Sequence, residues 1–415
     1  MKNIFKYSAV TLVSAALFGG LPAKAADLGG DCCADLEERV AVLEATTARK
    51  GNRKVSLTIS GWVHKSILYW DDGIDSDVYA GLDDTNGSTR FRFTGSASIN
   101  SDWSAGYNIE IETNGDRTLT VTQTNDDNGA GIALRKSNMW IKSKQLGQVV
   151  WGLASPVTDD MTLWSTFGAV FARQADWVEG ALFNITPGNA GSTTVNDLTG
   201  SLNGFLYFEG ATRNNIVRYN APTIGGFTVS ASWGEDDFWD VGARYKQTMG
   251  DFLVKAAIGY SEFGGGSGND ISGATRGYTQ EDHFLANAGI MHSPTGLFAR
   301  IEYSAFDWSG STTATDLDSD GYSIHAGITQ KWNALGKTTL MGSYTEIEDG
   351  YVRASFAEVA NGSSTEATRF GLTAIQNIDA AAMQLYVAYT HSEFEINNVD
   401  QKDIDMINVG GVIKF

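Results

Sequence analysis

The sequence predicts an all-β protein, a transmembrane antiparallel barrel of about sixteen strands. Three observations carry that prediction. From Lys54 onward the chain is a succession of segments with a two-residue hydrophobic period, joined alternately by short and long connections. Beyond the amino-terminal leader no apolar run approaches the length of a membrane helix, about 20 residues. The chain also stops inside a strand. Phe415, Ile413, Gly411, Val409 and Ile407 form an apolar face, and Lys414, Val412, Gly410, Asn408 and Met406 form a mixed one. An exposed apolar edge of this kind would aggregate. A closed barrel pairs it with the first strand.

Residues 1–25 read as a cleaved signal peptide. Lys2 and Lys6 precede an apolar run from Tyr7 to Leu21, and Ala23 and Ala25 supply the small residues of a cleavage site. The run is too short to serve as an anchor. Residues 26–53 form a periplasmic segment. Within it Leu36, Val40, Leu43 and Thr47 make a short helical seam over Ala34–Arg49. So short a helix needs support: either it pairs with helices of sister subunits, or it lies on its own barrel. Cys32 and Cys33 sit just ahead of it in an oxidising compartment. They make an interchain bridge or remain two free thiols.

Residues 54–415 are the barrel domain. Val55, Leu57, Ile59 and Val63 alternate with polar neighbours in the first strand, and Phe91, Phe93, Ala97 and Ile99 do so against Arg90, Arg92, Thr94 and Ser96. Later rows include Val229, Ala231 and Trp233, then Phe252, Val254, Ala256, Ile258 and Tyr260, then Leu297, Ala299, Ile301 and Tyr303. Several rows end in Tyr or Trp, as an interfacial girdle requires. Segments near 133–142, 148–152 and 213–220 alternate less clearly, and Arg135 interrupts the first of them. Apolar residues are expected toward lipid and small polar residues toward a lumen. A propeller would show a fixed repeat, and none is visible.

The formal charge is −19. Losing Lys2, Lys6 and Lys24 with the leader gives −19 − 3 = −22 for the mature chain. Nucleic acid wants a basic footprint and is excluded as a partner. Acidic loops such as Asp71–Gly87, Gly264–Asp282 and Ile347–Ser364 suit contact with lipopolysaccharide through divalent cations, or simple solvation.

The rows facing away from lipid carry cations: Arg90, Arg92, Arg218, Arg244, Lys246, Lys255, Arg300 and Arg369. Their counterpart is the long stretch 154–212, rich in aromatic residues (Trp164, Phe167, Phe171, Trp177, Phe183) and carrying Asp159, Asp160, Asp176 and Glu179. Its composition argues against disorder. Folded into the barrel it would narrow the bore and set acids against the basic wall, a transverse field that filters by size and charge. Folded over the mouth or against a neighbour it would not. His64, His283, His292, His325 and His391 show no metal-ligand or catalytic spacing. No catalytic residue, metal site or cofactor is expected.

Five stretches carry a family resemblance: DLEERVAVLE (Asp35–Glu44), SGWV (Ser60–Val63), KSNMWIKSKQLGQVVWGLASP (Lys136–Pro156), NIVRYNAPTIGGF (Asn215–Phe227) and GGVIKF (Gly410–Phe415). Together they resemble alphaproteobacterial outer-membrane porins of the Rhizobiales type. The resemblance implies a sixteen-stranded homotrimeric, water-filled channel whose long loop after the fifth strand folds inward. WGLASP leads into that loop. Some relatives look tethered to peptidoglycan through a mature Ala-Asp terminus, and Ala26-Asp27 fits that pattern. The expected function is passive diffusion of small hydrophilic solutes and ions. A solute-specific channel and an envelope-anchoring barrel are the alternatives. Phe415 is expected to be an assembly signal read by the barrel-insertion machinery.

Overall fold

The computed structural model describes residues 54–415 except 84–86, 114, 119, 127–128, 130, 160, 168–210, 212, 236, 265–279, 310–316 and 350–363. The expected signal peptide, the helix over 34–49, Cys32, Cys33 and Ala26 lie outside the described residues.

The first half of the barrel comprises β1 (Thr58–Asp71), β2 (Ser76–Leu82), β3 (Arg90–Ser98), β4 (Trp103–Thr113), β5 (Ile132–Ser143), β6 (Gly147–Ala154), β7 (Asn214–Asn220), β8 (Phe227–Gly234) and β9 (Trp239–Met249). The second half comprises β10 (Phe252–Gly264), β11 (Gln280–His292), β12 (Leu297–Ser309), β13 (Leu317–Gln330), β14 (Thr338–Glu348), β15 (Thr365–Ile378), β16 (Met383–Ile396), β17 (Val399–Asp400) and β18 (Ile404–Lys414). All belong to one antiparallel sheet of 18 strands. Two are short additions: β2 pairs with the upper part of β1, and β17 with the end of β16. The other sixteen form a closed ring. Closure is made by β18, which pairs with β16 on one side and with Trp62–Asp71 of β1 on the other. Its partner in β1 thus begins at Gly61 and Trp62, beyond Val55, Leu57 and Ile59; on the opposite edge Thr58–Trp62 pairs with β3. No helix among the described residues is long and apolar enough to cross a membrane.

The two-residue period explains the ring. Ile67, Val229, Ile258, Ile301, Leu340, Leu372 and Ile413 all point outward and are exposed. Ser66, Ser232, Asn287, Ser323, Thr345 and Asn408 point inward and are buried. Short connections such as 250–251 and 293–296 gather at one end, and the long ones at the other. Outward tyrosines mark the loop end, including Tyr303, Tyr322, Tyr344 and Tyr389, while Tyr245 packs on Phe227 near the turns at 4.4 Å. These are the two belts that a bilayer-spanning barrel needs.

Two features depart from the simple pattern. Arg135 does not break its strand: the register slips between Glu110 and Ile111, which face Lys136 and Leu134. Arg135 is therefore the extra residue of a β-bulge. The inner face is also not uniformly small and polar. Toward the loop end it carries buried Leu68, Trp70, Phe306, Trp308, Phe394 and Met406. There the aromatic rings satisfy one another, with His283 stacked on Phe306 at 3.6 Å and Phe306 on Trp308 at 5.3 Å.

Candidate functional site

The chain leaves β6 at Ala154, and the described residues of 155–167 run along the inner wall formed by β7 to β12. The inward residues of those strands grip it chiefly by its main chain. Arg218 Nη1 donates to the carbonyl of Ser155 at 2.8 Å, and Arg244 Nη2 donates to that of Val157 at 2.9 Å. Asp240 accepts from the amide and hydroxyl of Thr158 at 2.8 and 3.0 Å. Asn287 Nδ2 donates to the carbonyl of Met161 at 2.7 Å. Lys255 Nζ reaches the Thr166 carbonyl at 3.0 Å, and Arg300 Nη1 reaches Thr162 O and Thr166 Oγ1 at 3.4 and 3.3 Å. Charge-assisted bonds to carbonyls are stronger than neutral ones and hold a segment with no regular partner strand.

Shape completes the grip. Three inward glycines leave room for the loop's side chains. A Cβ on Gly259 would stand 2.5 Å from Met161 Sδ, one on Gly242 2.6 Å from Met161 Cε, and one on Gly289 2.8 Å from the Phe167 ring. Met161 and Val157 are fully buried with Ala257 and Leu285, and Trp164 packs beside them. Phe167 is buried against Phe298 and Met341. Thr162–Ser165 forms one 3-10 turn.

The fate of each expected site residue follows from these contacts. Arg218, Arg244 and Arg300 face inward but engage the loop backbone. Arg369 is buried, and its Nε donates to Ser392 Oγ at 3.2 Å. Asp159 is 6% exposed and pairs with Arg213 at 3.8 Å. Asp160, Asp176 and Glu179 lie outside the described residues.

Arg90 and Arg92 stand on a different arc, where β3, β4 and β5 meet. Arg90 pairs with Glu110 at 3.0 Å, and Arg92 is bonded to the same carboxylate. The bulged Arg135 lies 3.0 Å from Glu110 and 2.7 Å from Glu112, and Arg117 lies 3.9 Å from Glu112. Both Arg90 and Arg92 also cover the Trp62 ring, at 4.7 and 4.4 Å. Four guanidinium groups thus share two carboxylates, so the cluster carries net positive charge. Arg92 is its most open member, with 37% of its side chain exposed.

A third inward group links Arg300 to Glu302 at 3.2 Å and Glu302 to His325 at 3.1 Å, all buried. Ser323 bridges His325 and Thr345, at 2.8 Å each. The sequence reading gave the wall arginines no carboxylate partners on the wall itself, so it missed Glu110 and Glu112, and it missed Asp240 and Asn287 as loop anchors. The available signal was a carboxylate or amide at an inward position among serines and glycines. Among the described residues no group of His, Cys, Asp and Glu could hold a metal ion.

Residues 12–397 match the family model described as Gram-negative porin. Among solved structures the chain is similar to the anion-selective porin from Comamonas acidovorans, with a TM-score of 0.55 and 15% identity over 87% of this chain and 100% of that one. It is also similar to in-vitro folded OmpT of Vibrio cholerae in trimer form, with a TM-score of 0.54 and 12% identity over 87% and 99%. Salmonella typhi OmpF in complex with daunomycin matches with a TM-score of 0.51 and 14% identity over 88% and 99%. At such identities the likeness concerns the fold. No curated protein matches the sequence.

Proposed function

The chain belongs to the Gram-negative porin family and is an outer-membrane channel; on that premise we propose that its bore admits small hydrophilic solutes and ions by passive diffusion, with selectivity set between two arcs of the wall. The observation that carries this reading is the loop bonded to the inner wall of β7–β12 through Arg218, Arg244, Lys255 and Arg300. A loop held there narrows the bore from one side. The net positive cluster of Arg90, Arg92, Arg117 and Arg135 faces the lumen from the arc of β3–β5. In this reading Asp160, Asp176 and Glu179 supply the acidic side of the constriction, while Asp159 is buried against Arg213. Solutes crossing between the two meet a fixed transverse field.

Planar-bilayer recording of the purified folded protein tests the channel reading. Large, weakly selective conductance steps are the expected result, and their absence would sink it. The working unit we propose is a homotrimer, in line with OmpT of Vibrio cholerae, which has a trimer form. The stretches Lys136–Pro156 and Asn215–Phe227 favour an alphaproteobacterial lineage. A peptidoglycan tether at Ala26 would add an anchoring role, and sacculus digestion would reveal a muropeptide on the amino terminus.

A further inference from the structure

The lipid-facing surface is not uniform. On β13 to β16 it holds a depression of about 470 Å³. Its floor is made of small residues, Ala326, Gly342 and Ala374, and its sides are Leu340, Leu372 and Val387. The register explains it: Ala326 pairs with Gly342, Gly342 with Leu372, and Leu340 with Ala374. Gly342 differs from most strand glycines. A Cβ there would meet nothing closer than Leu372 Cδ2 at 3.7 Å and Gly371 O at 3.8 Å. The groove is therefore open space, not a place where backbone crowding forbids a side chain.

The next row toward the loop end is aromatic. Tyr344 packs on Phe370 at 5.1 Å and on Tyr322 at 6.1 Å. Above it stands a polar rim of carboxylates. Tyr322 and Tyr344 donate to Glu346 at 2.9 and 2.6 Å. Tyr389, which lines the groove, donates to Asp405 at 2.6 Å. His391 lies between Asp405, at 2.9 Å, and Glu393, at 3.4 Å.

An apolar groove alone selects nothing in a bilayer, because acyl chains are as apolar as leucine. A groove that runs into an aromatic belt and then into a rim of acceptors is an amphiphile site with two ends. The rim carries three carboxylates, Glu346, Glu393 and Asp405, against one imidazole, so the complementary head is an ammonium group. We propose that this face binds one membrane lipid with a primary-amine head, its acyl chain in the Gly342 groove and its ammonium at the Glu346–Glu393–Asp405 rim. This rests on the reading that the outer face of the barrel meets lipid.

Native mass spectrometry of the delipidated, refolded protein tests it, titrated with phosphatidylethanolamine or phosphatidylglycerol, with and without magnesium. One phosphatidylethanolamine per chain is expected to bind, about tenfold more tightly than phosphatidylglycerol. Gly342→Leu fills the groove and removes that binding. Glu346→Gln with Glu393→Gln keeps the groove and levels the two lipids. Equal binding of both lipids to the wild type, retention of the lipid by Gly342→Leu, a preference for phosphatidylglycerol that needs magnesium, or a change of subunit stoichiometry in Gly342→Leu without lipid loss would each overturn the proposal. Conductance of the same samples separates a failed lipid site from a failed channel.

Discussion

Gly61 and Phe415 exchange both main-chain hydrogen bonds, at 3.0 and 3.1 Å, and so tie the last residue of the chain to the first strand of the ring. The Phe415 ring lies beside Phe91, with centroids 5.6 Å apart. A Cβ on Gly61 would stand 2.7 Å from that ring and 2.3 Å from the carbonyl of Arg90. No rotamer relieves a backbone clash. Gly61→Val should prevent the seam from closing, and heat-modifiable migration on gels should show loss of the folded form. Phe415→Ala keeps the two backbone bonds and removes the ring contact. It should lower the outer-membrane yield several-fold while the protein that does assemble conducts normally; an unchanged yield would count against an assembly role.

The loop's hold on the wall predicts a separable phenotype. Arg244 and Arg300 donate to loop carbonyls from the middle of the barrel wall. Hydrogen bonds to charged groups contribute roughly 1.5–3 kcal/mol each. Arg244→Ala with Arg300→Ala should leave the main-chain ladders of the sheet in place, while the loss of Arg300 also strips the buried Glu302 of its guanidinium partner and should lower the unfolding temperature. Single-channel records should become noisier, with conductance raised as the loop detaches. A quiet, unchanged trace would mean that the apolar contacts of Met161 and Phe167 suffice.

How much of this was visible beforehand depends on what kind of partner each residue has. Sixteen strands could be read because lipid and lumen impose opposite chemistry on alternate residues, and rows such as Ile258, Ile301 and Leu372 record it directly. The inward direction of Arg218, Arg244 and Arg300 followed from the same alternation. Their partners did not, because a main-chain carbonyl leaves no mark in the sequence. Arg135 looked like noise because a bulge shifts the period by one, and only the register against Glu110 reveals it. Phe306 and Trp308 on the inner face are invisible to a rule that assigns all large apolar residues to lipid.

Gly259 offers a steric test of the loop's seat. Its missing side chain is the space that Met161 fills. Gly259→Val should push Met161 and the 3-10 turn at Thr162–Ser165 off the wall, at a cost of about 1–3 kcal/mol for overpacking. The unfolding temperature should fall by only a few degrees relative to wild type, because β9, β10 and β11 keep their ladders. Conductance should change, and Met161→Ala in the same background should partly restore it. Failure of that second substitution to restore anything would place the clash elsewhere.

The cluster around Glu110 predicts selectivity of either sign. Glu110 lies within ion-pair distance of Arg90, Arg92 and Arg135. Glu110→Gln removes one negative charge and leaves those guanidinium groups in excess, so the reversal potential in a salt gradient should shift toward anions. Removing one partner of a buried pair costs on the order of 3–5 kcal/mol, and the variant should unfold at lower temperature. Arg92→Gln is the complementary change. Its side chain is over a third exposed, so it should cost little stability and shift the potential toward cations. If both variants shift the potential in the same direction, or neither shifts it, the arc of β3–β5 does not set the field in the bore.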